Sequence, residues 1–302
     1  MTILELLSSS PPLFIGTCLV LGLVVGSFLN VVVYRVPVML ERQWREQCAE
    51  LAGEANAVPA SKPLERFNLL VPRSTCPSCK APITALQNVP VLSYVFLKGR
   101  CAHCGAAIGI RYPIVEALTG VLSAAVAWKY GFGWPTLAAL LLTWFLVALT
   151  FIDLDHQLLP DNMTLPLVWL GLSLSLYGPQ TGGAPLPVDM HSSIVGAMAG
   201  YLSLWSVYHL FRLLTGKEGM GYGDFKLFAA LGAWMGWKML LPIILIAALV
   251  GAASGIALIA FGGRNRSIPI AFGPFLAAAG WLMLMFGPEL VTSYLGLYAA
   301  HP

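Results

Sequence analysis

Long apolar stretches separated by short polar breaks run along most of this chain. The stretch LLLTWFLVALTFI at 140–152, for example, is apolar on every face of a helix. A helix needs about 20 such residues to cross the roughly 30 Å hydrocarbon core of a bilayer, whereas a strand of a membrane barrel would carry polar residues at alternate positions. The pattern therefore predicts transmembrane helices.

The apolar stretches predict an all-α polytopic membrane protein with about eight transmembrane helices. We place the spans near residues 13–33, 113–130, 135–152, 162–178, 191–214, 224–237, 239–261 and 270–287. The sixth span is short and opens at Gly-Tyr-Gly-Asp, which is compatible with a partly broken helix lining a cavity, so seven spans are the alternative. No basic residue precedes the first span, which is therefore expected to be retained rather than cleaved as a signal peptide.

Composition supports a membrane protein and excludes other classes. Hydrophobic residues make up 58% of the chain and charged residues 10%, and the mean hydropathy of +0.77 excludes a soluble domain. The formal net charge of +3 is too small to indicate a nucleic-acid partner. The expected surroundings of the chain are membrane lipid.

The basic residues predict how the chain is oriented. Ten of the 17 lysines and arginines lie between residues 34 and 112, and cytoplasmic connections are the ones that carry an excess of basic residues. Segment 34–112 is therefore predicted to be cytoplasmic, and both termini are predicted to face outward.

Two Cys-x-x-Cys pairs lie in this predicted cytoplasmic segment. They are Cys76-Pro-Ser-Cys79 and Cys101-Ala-His-Cys104, and 21 residues separate them. Two such turns can supply the four tetrahedral thiolate ligands of a structural zinc site, whereas disulfides are disfavoured in a reducing cytoplasm. Because four cysteines close the coordination shell, the metal is expected to fold a small insert and to do no chemistry.

Acidic residues lie at the ends of two predicted spans, although burying a charge in a bilayer costs on the order of 2.5–3.5 kcal/mol. Asp153, Asp155 and Asp161 follow the third span, and Asp224 opens the sixth. The predicted topology places both groups at the cytoplasmic edge. Carboxylates from the two groups could therefore meet there.

Two carboxylates within hydrogen-bond reach share a proton, so one can activate a water while the other protonates a carbonyl oxygen. This is the chemistry of an aspartyl protease. Gly221 and Gly223 precede Asp224 and would let an extended substrate approach closely. Residues 153 and 155 are about 200° apart on a helix, so no more than one of them faces Asp224. The spacing does not decide which.

Four other interpretations stay open at this point. The acids could be ordinary interfacial residues, with Asp224 capping a helix. Asp153-Leu-Asp155-His156 could hold a divalent metal for phosphate chemistry. A membrane transporter or secretion component could use these carboxylates for proton or ion passage. The cysteine insert could also belong to a scaffold that only binds partners.

The chain resembles the bacterial type IV prepilin leader peptidase and N-methyltransferase family, which are membrane aspartyl proteases with a Gly-x-Gly-Asp signature. The resemblance spans nearly the whole chain. It rests on GSFLNVVVYR at 26–35, the two Cys-x-x-Cys pairs, RYPIVEALTG at 111–120, FIDLDHQLLPDNMTLPLVWLG at 151–171, GKEGMGYGDFKLFAALGAW at 216–234 and IPIAFGPFLAAAGW at 268–281. It implies a first helix at 1–33, an insert at 34–112 and a seven-helix membrane peptidase core at 113–302.

The resemblance also implies functional residues and a substrate class. The catalytic pair would be Asp153 and Asp224, and the supporting residues would be Gly221, Gly223, Asp155 and Lys226. The implied reaction removes a short basic leader from prepilins and pseudopilins, after a glycine, at the cytoplasmic face of the inner membrane.

In many members of the family, S-adenosylmethionine then methylates the new N-terminal residue, commonly phenylalanine. No Gly-rich strand-turn-helix fingerprint for a methyltransferase is visible in this sequence, so methyl transfer is implied by the resemblance alone. The polar residues that frame the insert are candidates for its cofactor site: Asn30, Arg35, Arg111, Tyr112 and Glu116. Arg35 and Arg111 could instead be anchors at the cytoplasmic side of their helices.

Overall fold

The computed structural model of the protein describes residues 2–52, 67–177, 186, 188–262 and 271–299. Residues 53–66 of the predicted insert and the first residues of the IPIAFGPFLAAAGW block lie outside these ranges. In chain order the helices are α1 (Ile3–Ser9), α2 (Pro11–Leu51), α3 (Leu92–Phe96), α4 (Arg111–Tyr130), α5 (Trp134–His156), α6 (Asp161–Ser175), α7 (Met190–Thr215), α8 (Tyr222–Met235), α9 (Leu240–Gly262) and α10 (Gly273–Ala299).

The prediction of an all-α polytopic membrane protein is confirmed, and a helix corresponds to each of the eight predicted spans. Within the part of the chain that the structure describes, four helices are long and apolar enough to cross a membrane: Pro11–Leu51, Trp134–His156, Met190–Thr215 and Trp237–Ala260. Helices α6 and α8 have only 15 and 14 residues. At 1.5 Å per residue they are roughly 21–23 Å long, which is shorter than the roughly 30 Å hydrocarbon core.

Helix α2 continues well past the predicted end of the first span at residue 33. Its polar second half, ERQWREQCAE at 41–50, consists mostly of good helix formers. An ion pair between Glu41 and Arg45, one turn apart and with a 2.5 Å separation, supports the same helix. The segment that polarity assigns to the insert therefore begins inside a helix.

The chain forms two compact units. One is Ile15–Ala124, which contains the cysteine pairs, and the other joins Met1–Phe14 with Ala125–Pro302. Domain boundaries at residues 33 and 112 remain predictions.

Helix α8 lies at the centre of the unit that contains α5 to α10. Every residue from Asp224 to Met235 except Lys226 is buried, and the helix contacts α6, α7 and α10. The sixth predicted span is therefore surrounded by protein rather than by lipid. This arrangement explains how so short a helix can carry a buried acid at its first turn.

Glycines bring α7 and α8 unusually close together. A Cβ atom built on Gly196 of α7 would lie 2.3 Å from the carbonyl oxygen of Gly232 on α8, and one on Gly200 would lie 2.7 Å from that of Phe228. The Ser193 hydroxyl donates across the same contact to the Ala233 carbonyl at 2.6 Å. Small residues and interhelical hydrogen bonds of this kind drive helix association in membranes.

Helix α6 contacts the same C-terminal half of α8. The Trp234 indole Nε1 donates to the Leu167 carbonyl at 2.8 Å. A Cβ atom on Gly171 would lie 2.6 Å from the Trp234 ring. The absence of a side chain at Gly171 therefore lets the indole lie close enough to α6 to hold the position of α8.

Candidate active site

Asp153 lies in the last turn of α5 and is 5% exposed. The helix ends three residues later, where Gln157 adopts a left-handed conformation with φ of 50°. Asp155 is exposed, because two residues along a helix place it on a different face. The structure therefore buries the first acid of the Asp-x-Asp element and leaves the second at the surface.

Asp224 is the third residue of α8, after the N-cap residue Gly221. Its side chain is 6% exposed, and its Oδ1 atom is buried without a hydrogen-bond donor among the described residues. Asp153 and Asp224 are both buried and both lie beside the turn at Leu159. The position of Asp224 in the first turn suits a helix cap, but a capping role does not account for its burial beside a second acid.

Leu159 and Gly273 complete the surroundings of the two acids. A Cβ atom built on Gly273, the first residue of α10, would lie 2.5 Å from Asp153 Oδ2 and 3.1 Å from Leu159 Cδ1. A Cβ atom on Gly223 would lie 2.6 Å from Leu159 Cβ. The turn at Leu159 therefore packs between the residue preceding Asp224 and the residue that contacts Asp153.

Gly221 and Gly223, the two glycines predicted to support the site, have different surroundings. The missing side chain of Gly223 makes room for Leu159, a residue of the protein itself. A Cβ atom built on Gly221 would have Asp224 Oδ2 as its nearest neighbour, at 3.7 Å. The space next to Gly221 is therefore the open one of the two, and it borders the Asp224 carboxylate.

Lys226 forms an ion pair with Asp161 at the edge of the same site. Its Nζ atom donates to both carboxylate oxygens, at 2.6 and 2.7 Å, and thereby joins α8 to the first residue of α6. The Lys226 and Asp161 side chains are 23% and 58% exposed. The pair is more exposed than the two buried acids and links α6 to α8.

The sequence pattern did not single out Leu159, Gly273 or the pairing of Asp161 with Lys226. The opposite charges of Asp161 and Lys226, each near a predicted catalytic acid, were an available signal for the ion pair. No pattern in the sequence distinguishes Gly273 from the other glycines of an apolar helix, because its role depends on a contact with a residue 120 positions away.

The two cysteine pairs of the other unit fold into matching turns. An isolated bridge joins Thr75 to Pro82 in the first turn, and one joins Arg100 to Ala107 in the second. The residue after each pair closes the turn in a left-handed conformation. That residue is Lys80 in one turn, with φ of 59°, and Gly105 in the other, with φ of 70°.

The four cysteines fit a tetrahedral metal site. All four Sγ atoms lie within 4.8 Å of one another, and those of Cys76 and Cys104 are 3.9 Å apart. Four sulfurs at about 2.3 Å from one zinc would be roughly 3.8 Å apart. Backbone N–H groups of Cys79 and Ser78 lower the pKa of the Cys76 thiol to about 6, which favours the thiolate form that binds metals.

Among the residues that the structure describes, these cysteines form the one group of three or more His, Cys, Asp or Glu ligand atoms close enough to share an ion. The alternative metal site at Asp153-Leu-Asp155-His156 is therefore not formed. Its members diverge because Asp153 is buried while Asp155 and His156 are exposed at the end of α5.

Arg35, one of the residues considered for a cofactor site, holds the segment that precedes the first cysteine pair. Its guanidinium group donates to the carbonyls of Asn68 and Pro72, at 2.8 and 2.6 Å, and lies 5.6 Å from the centre of the Phe67 ring. Arg35 is only 7% exposed. Its position is thus fixed by the insert rather than by the membrane surface alone.

Glu116 and Asn30 also have partners inside this unit. The Glu116 carboxylate accepts the Val91 N–H at 2.7 Å, and Val91 has φ of 60°, which a β-branched residue rarely adopts. The Asn30 side chain donates to the carbonyl of Tyr112 at 3.1 Å. Of the five polar candidates, Arg35, Glu116 and Asn30 therefore maintain the shape of the insert and its junction with α2 and α4.

Two family models match this chain, one mostly within each compact unit. Residues 20–130 match the bacterial peptidase A24 N-terminal domain, and residues 140–256 match the type IV leader peptidase family. No solved structure matches the chain significantly.

Full-length relatives carry one name, prepilin leader peptidase/N-methyltransferase. The protein of Aeromonas salmonicida is 54% identical over 97% of this chain and 98% of its own length. That of Stutzerimonas stutzeri is 49% identical over 98% of each chain, and that of Neisseria gonorrhoeae is 50% identical over 92% of each. With this identity over nearly its whole length, the chain belongs to the type IV leader peptidase family.

Proposed function

We propose that this protein is a membrane aspartyl endopeptidase that removes the leader from type IV prepilins and pseudopilins, with Asp153 and Asp224 as its catalytic pair. The observation that supports the assignment is that two buried acids from different helices lie beside the same turn at Leu159. The names of the full-length relatives support the substrate class. Gly221, Gly223 and Lys226 are proposed as supporting residues, whereas the exposed Asp155 has at most a minor role.

Two adjacent carboxylates in a site of low polarity hold one proton between them. The ionised member takes a proton from a water molecule, and the water oxygen attacks the scissile carbonyl carbon. The protonated member gives its proton to the carbonyl oxygen, which produces a tetrahedral diol. When the diol collapses, the C–N bond breaks, and the departing nitrogen receives a proton from the carboxyl that acted as base, while the other carboxylate takes a proton from a diol hydroxyl as the carbonyl re-forms.

We propose that the reaction takes place at the cytoplasmic face of the bacterial inner membrane, with both termini of the protein facing outward. Asp153 lies in the last turn of α5 and Asp224 in the first turn of α8, so both acids lie where helices end. The distribution of basic residues supports assigning this end to the cytoplasm. A basic leader retained in the cytoplasm would then place its scissile bond beside the pair.

We further propose that the protein methylates the new N-terminus with S-adenosylmethionine as the methyl donor. The support is the name of the relatives, which includes N-methyltransferase. Arg35, Glu116 and Asn30 are engaged in internal hydrogen bonds, so we propose that they shape the methyl-transfer region. Arg111 and Tyr112, at the start of α4, are proposed for the same region.

The metal proposed for the four-cysteine cluster is zinc, with a structural role. Four thiolates in a tetrahedral arrangement are the donor set of closed structural zinc sites, although iron accepts the same ligands. Elemental analysis of the purified protein is expected to give about one zinc per chain. A preparation with no tightly bound metal, or with iron in its place, would contradict the proposal.

The decisive experiment supplies the purified, reconstituted protein with a leader-bearing prepilin and methyl-labelled S-adenosylmethionine. We expect two products, a shortened chain and a labelled N-terminus. A pH-dependent ion flux in proteoliposomes without a peptide product would instead support the transporter interpretation.

The catalytic pair is tested by Asp153→Asn and Asp224→Asn. Each is expected to reduce leader cleavage by at least about a thousandfold, because neither amide can exchange the required proton. Asp155→Asn is the matched control on the same helix, and it should retain cleavage within a few-fold while all three variants keep their metal. Substantial cleavage by either of the first two variants would exclude the proposed pair.

A further inference from the structure

The cysteine insert has an unusual charge distribution. No acidic residue occurs between Glu65 and Glu116, whereas the same stretch contains six basic ones. Four of these lie exposed on the described part of the insert: Arg73, Lys80, Lys98 and Arg100. The part of the insert that carries the cysteine pairs, residues 67–112, is therefore positive and has no carboxylate of its own, and its complement is a surface rich in anions.

The insert also exposes large apolar side chains on the short helix α3, which Lys98 and Arg100 follow closely in the chain. Leu92, Val95 and Phe96 are 56%, 64% and 81% exposed. These positions are spaced i, i+3 and i+4, so they lie on one face of the helix. Tyr94 points the other way. Its side chain lies against Gly99, where an added Cβ atom would be 2.9–3.0 Å from the Tyr94 hydroxyl and ring, and its hydroxyl donates to the Ile108 carbonyl at 3.5 Å.

Other apolar residues of the insert are exposed to a similar extent. Leu70, Leu86 and Ile110 are 80%, 84% and 66% exposed. Single exposed apolar residues are common on soluble proteins, but a concentration of them with flanking cations is typical of surfaces that bind a partner or a membrane. The positive-inside rule accounts for the cations alone and not for the exposed face of α3.

We infer that this face of the insert docks on the surface of the bilayer. The side chains of Leu92, Val95 and Phe96 enter the boundary between headgroups and acyl chains, and Lys98 and Arg100 contact anionic lipid headgroups. Interfacial helices combine an apolar face with flanking cations for the same reason. This inference does not depend on the proposed peptidase activity.

Two features of the chain favour lipid over other occupants. The insert belongs to one compact unit with the apolar part of α2 and with α4, so its tethers lead directly into the membrane. The 67–112 segment of a second copy would present the same cations and no acids of its own, and like charges facing each other oppose association. An anionic bilayer supplies both the apolar and the negative surface.

The test places a photoreactive group on the exposed face of the full-length protein in lipid nanodiscs. Phe96→p-benzoylphenylalanine is the probe variant. Gln47→p-benzoylphenylalanine is the control, because Gln47 is exposed on α2 and lies roughly 20 Å along the helix from the predicted end of the span. Irradiation followed by mass spectrometry identifies what each position contacts.

We expect lipid adducts at position 96, few at position 47, and a yield at position 96 that rises when phosphatidylglycerol is included. Lys98→Glu combined with Arg100→Glu should remove this rise, since each cation near an anionic surface contributes about a fivefold gain in association. Retained metal in the charge-reversed variant shows that the insert is folded. The inference would be overturned if position 96 formed adducts to a protein chain or no adducts at all. It would also be overturned by equal lipid adducts at both positions, or by a yield at position 96 that does not depend on phosphatidylglycerol.

Discussion

Among single residues, Gly273 has the most direct control over the position of Asp153. A methyl group added there would fall 2.5 Å from the carboxylate oxygen, so either the carboxylate or the start of α10 must move. We predict that Gly273→Ala lowers kcat/KM for leader cleavage by about a hundredfold, because a displacement of about 1 Å is enough to disrupt a catalytic geometry.

The control for this variant is Gly251→Ala on α9, where the added methyl group would meet the Phe275 ring at an ordinary 3.4 Å. It should cleave at the unaltered rate. Equal activities of the two variants would show that the contact between Gly273 and Asp153 has no part in catalysis.

Residue-level predictions are most direct where local geometry decides the outcome. The 200° separation of residues 153 and 155 follows from the helix alone, and the structure buries Asp153 and exposes Asp155 accordingly. The spacing of the two Cys-x-x-Cys pairs likewise predicted that the four Sγ atoms surround one metal position, and they do lie within 4.8 Å of one another. The roles of Leu159 and Gly273 depend on the packing of α5, α8 and α10, which no local pattern encodes.

At the scale of helices, the contact between α7 and α8 depends on Gly196 and Gly232. A side chain on Gly196 would fall 2.3 Å from a backbone oxygen of α8, and backbone cannot rotate away as a side chain can. We predict that Gly196→Ala destabilises the protein by about 1–3 kcal/mol, the usual range for overpacking. Thermal unfolding in detergent measures the effect, again with Gly251→Ala as the control.

An unaltered melting temperature for Gly196→Ala would contradict the close approach of these helices. The change should also reduce leader cleavage, since α8 carries Asp224 at its first turn. Loss of cleavage with full stability would indicate a role for Gly196 other than packing.

The positions of the helices could be predicted from the sequence, but the extent of α2 and the surroundings of α8 could not. Hydropathy marks where a chain enters lipid, so it placed the apolar part of α2 but not its extension to Leu51, which depends on helix propensity and on the Glu41–Arg45 pair. Hydropathy likewise identified the stretch that forms α8. It could not show that this helix is enclosed by protein, because an apolar neighbour can be lipid or another helix.

At the scale of the whole molecule, the two compact units are expected to respond differently to loss of the metal. We predict that Cys76→Ser combined with Cys104→Ser removes the bound metal and exposes the amides of the insert to hydrogen exchange, because so small a segment has little core of its own. The amides of α5 to α10 should keep their protection, since these helices share the core of the other unit.

Cys48→Ser is the matched control, because Cys48 is exposed on α2 and outside the cluster. It should keep both the metal and the exchange pattern. Loss of protection in α8 of the double variant, or an unchanged insert, would show that the units are not independent in this respect.

The enclosure of α8 has a consequence for how the protein is assembled. A helix of 14 residues is too short to be recognised as a span by the insertion machinery, and its buried Asp224 adds a penalty on the order of 2.5–3.5 kcal/mol against entering lipid alone. Helices α6 and α7 offer it close contacts through glycines instead. We therefore expect α8 to enter the membrane late, after its neighbours, so that Asp224, the second acid of the proposed catalytic pair, is added only in the final stage of biogenesis.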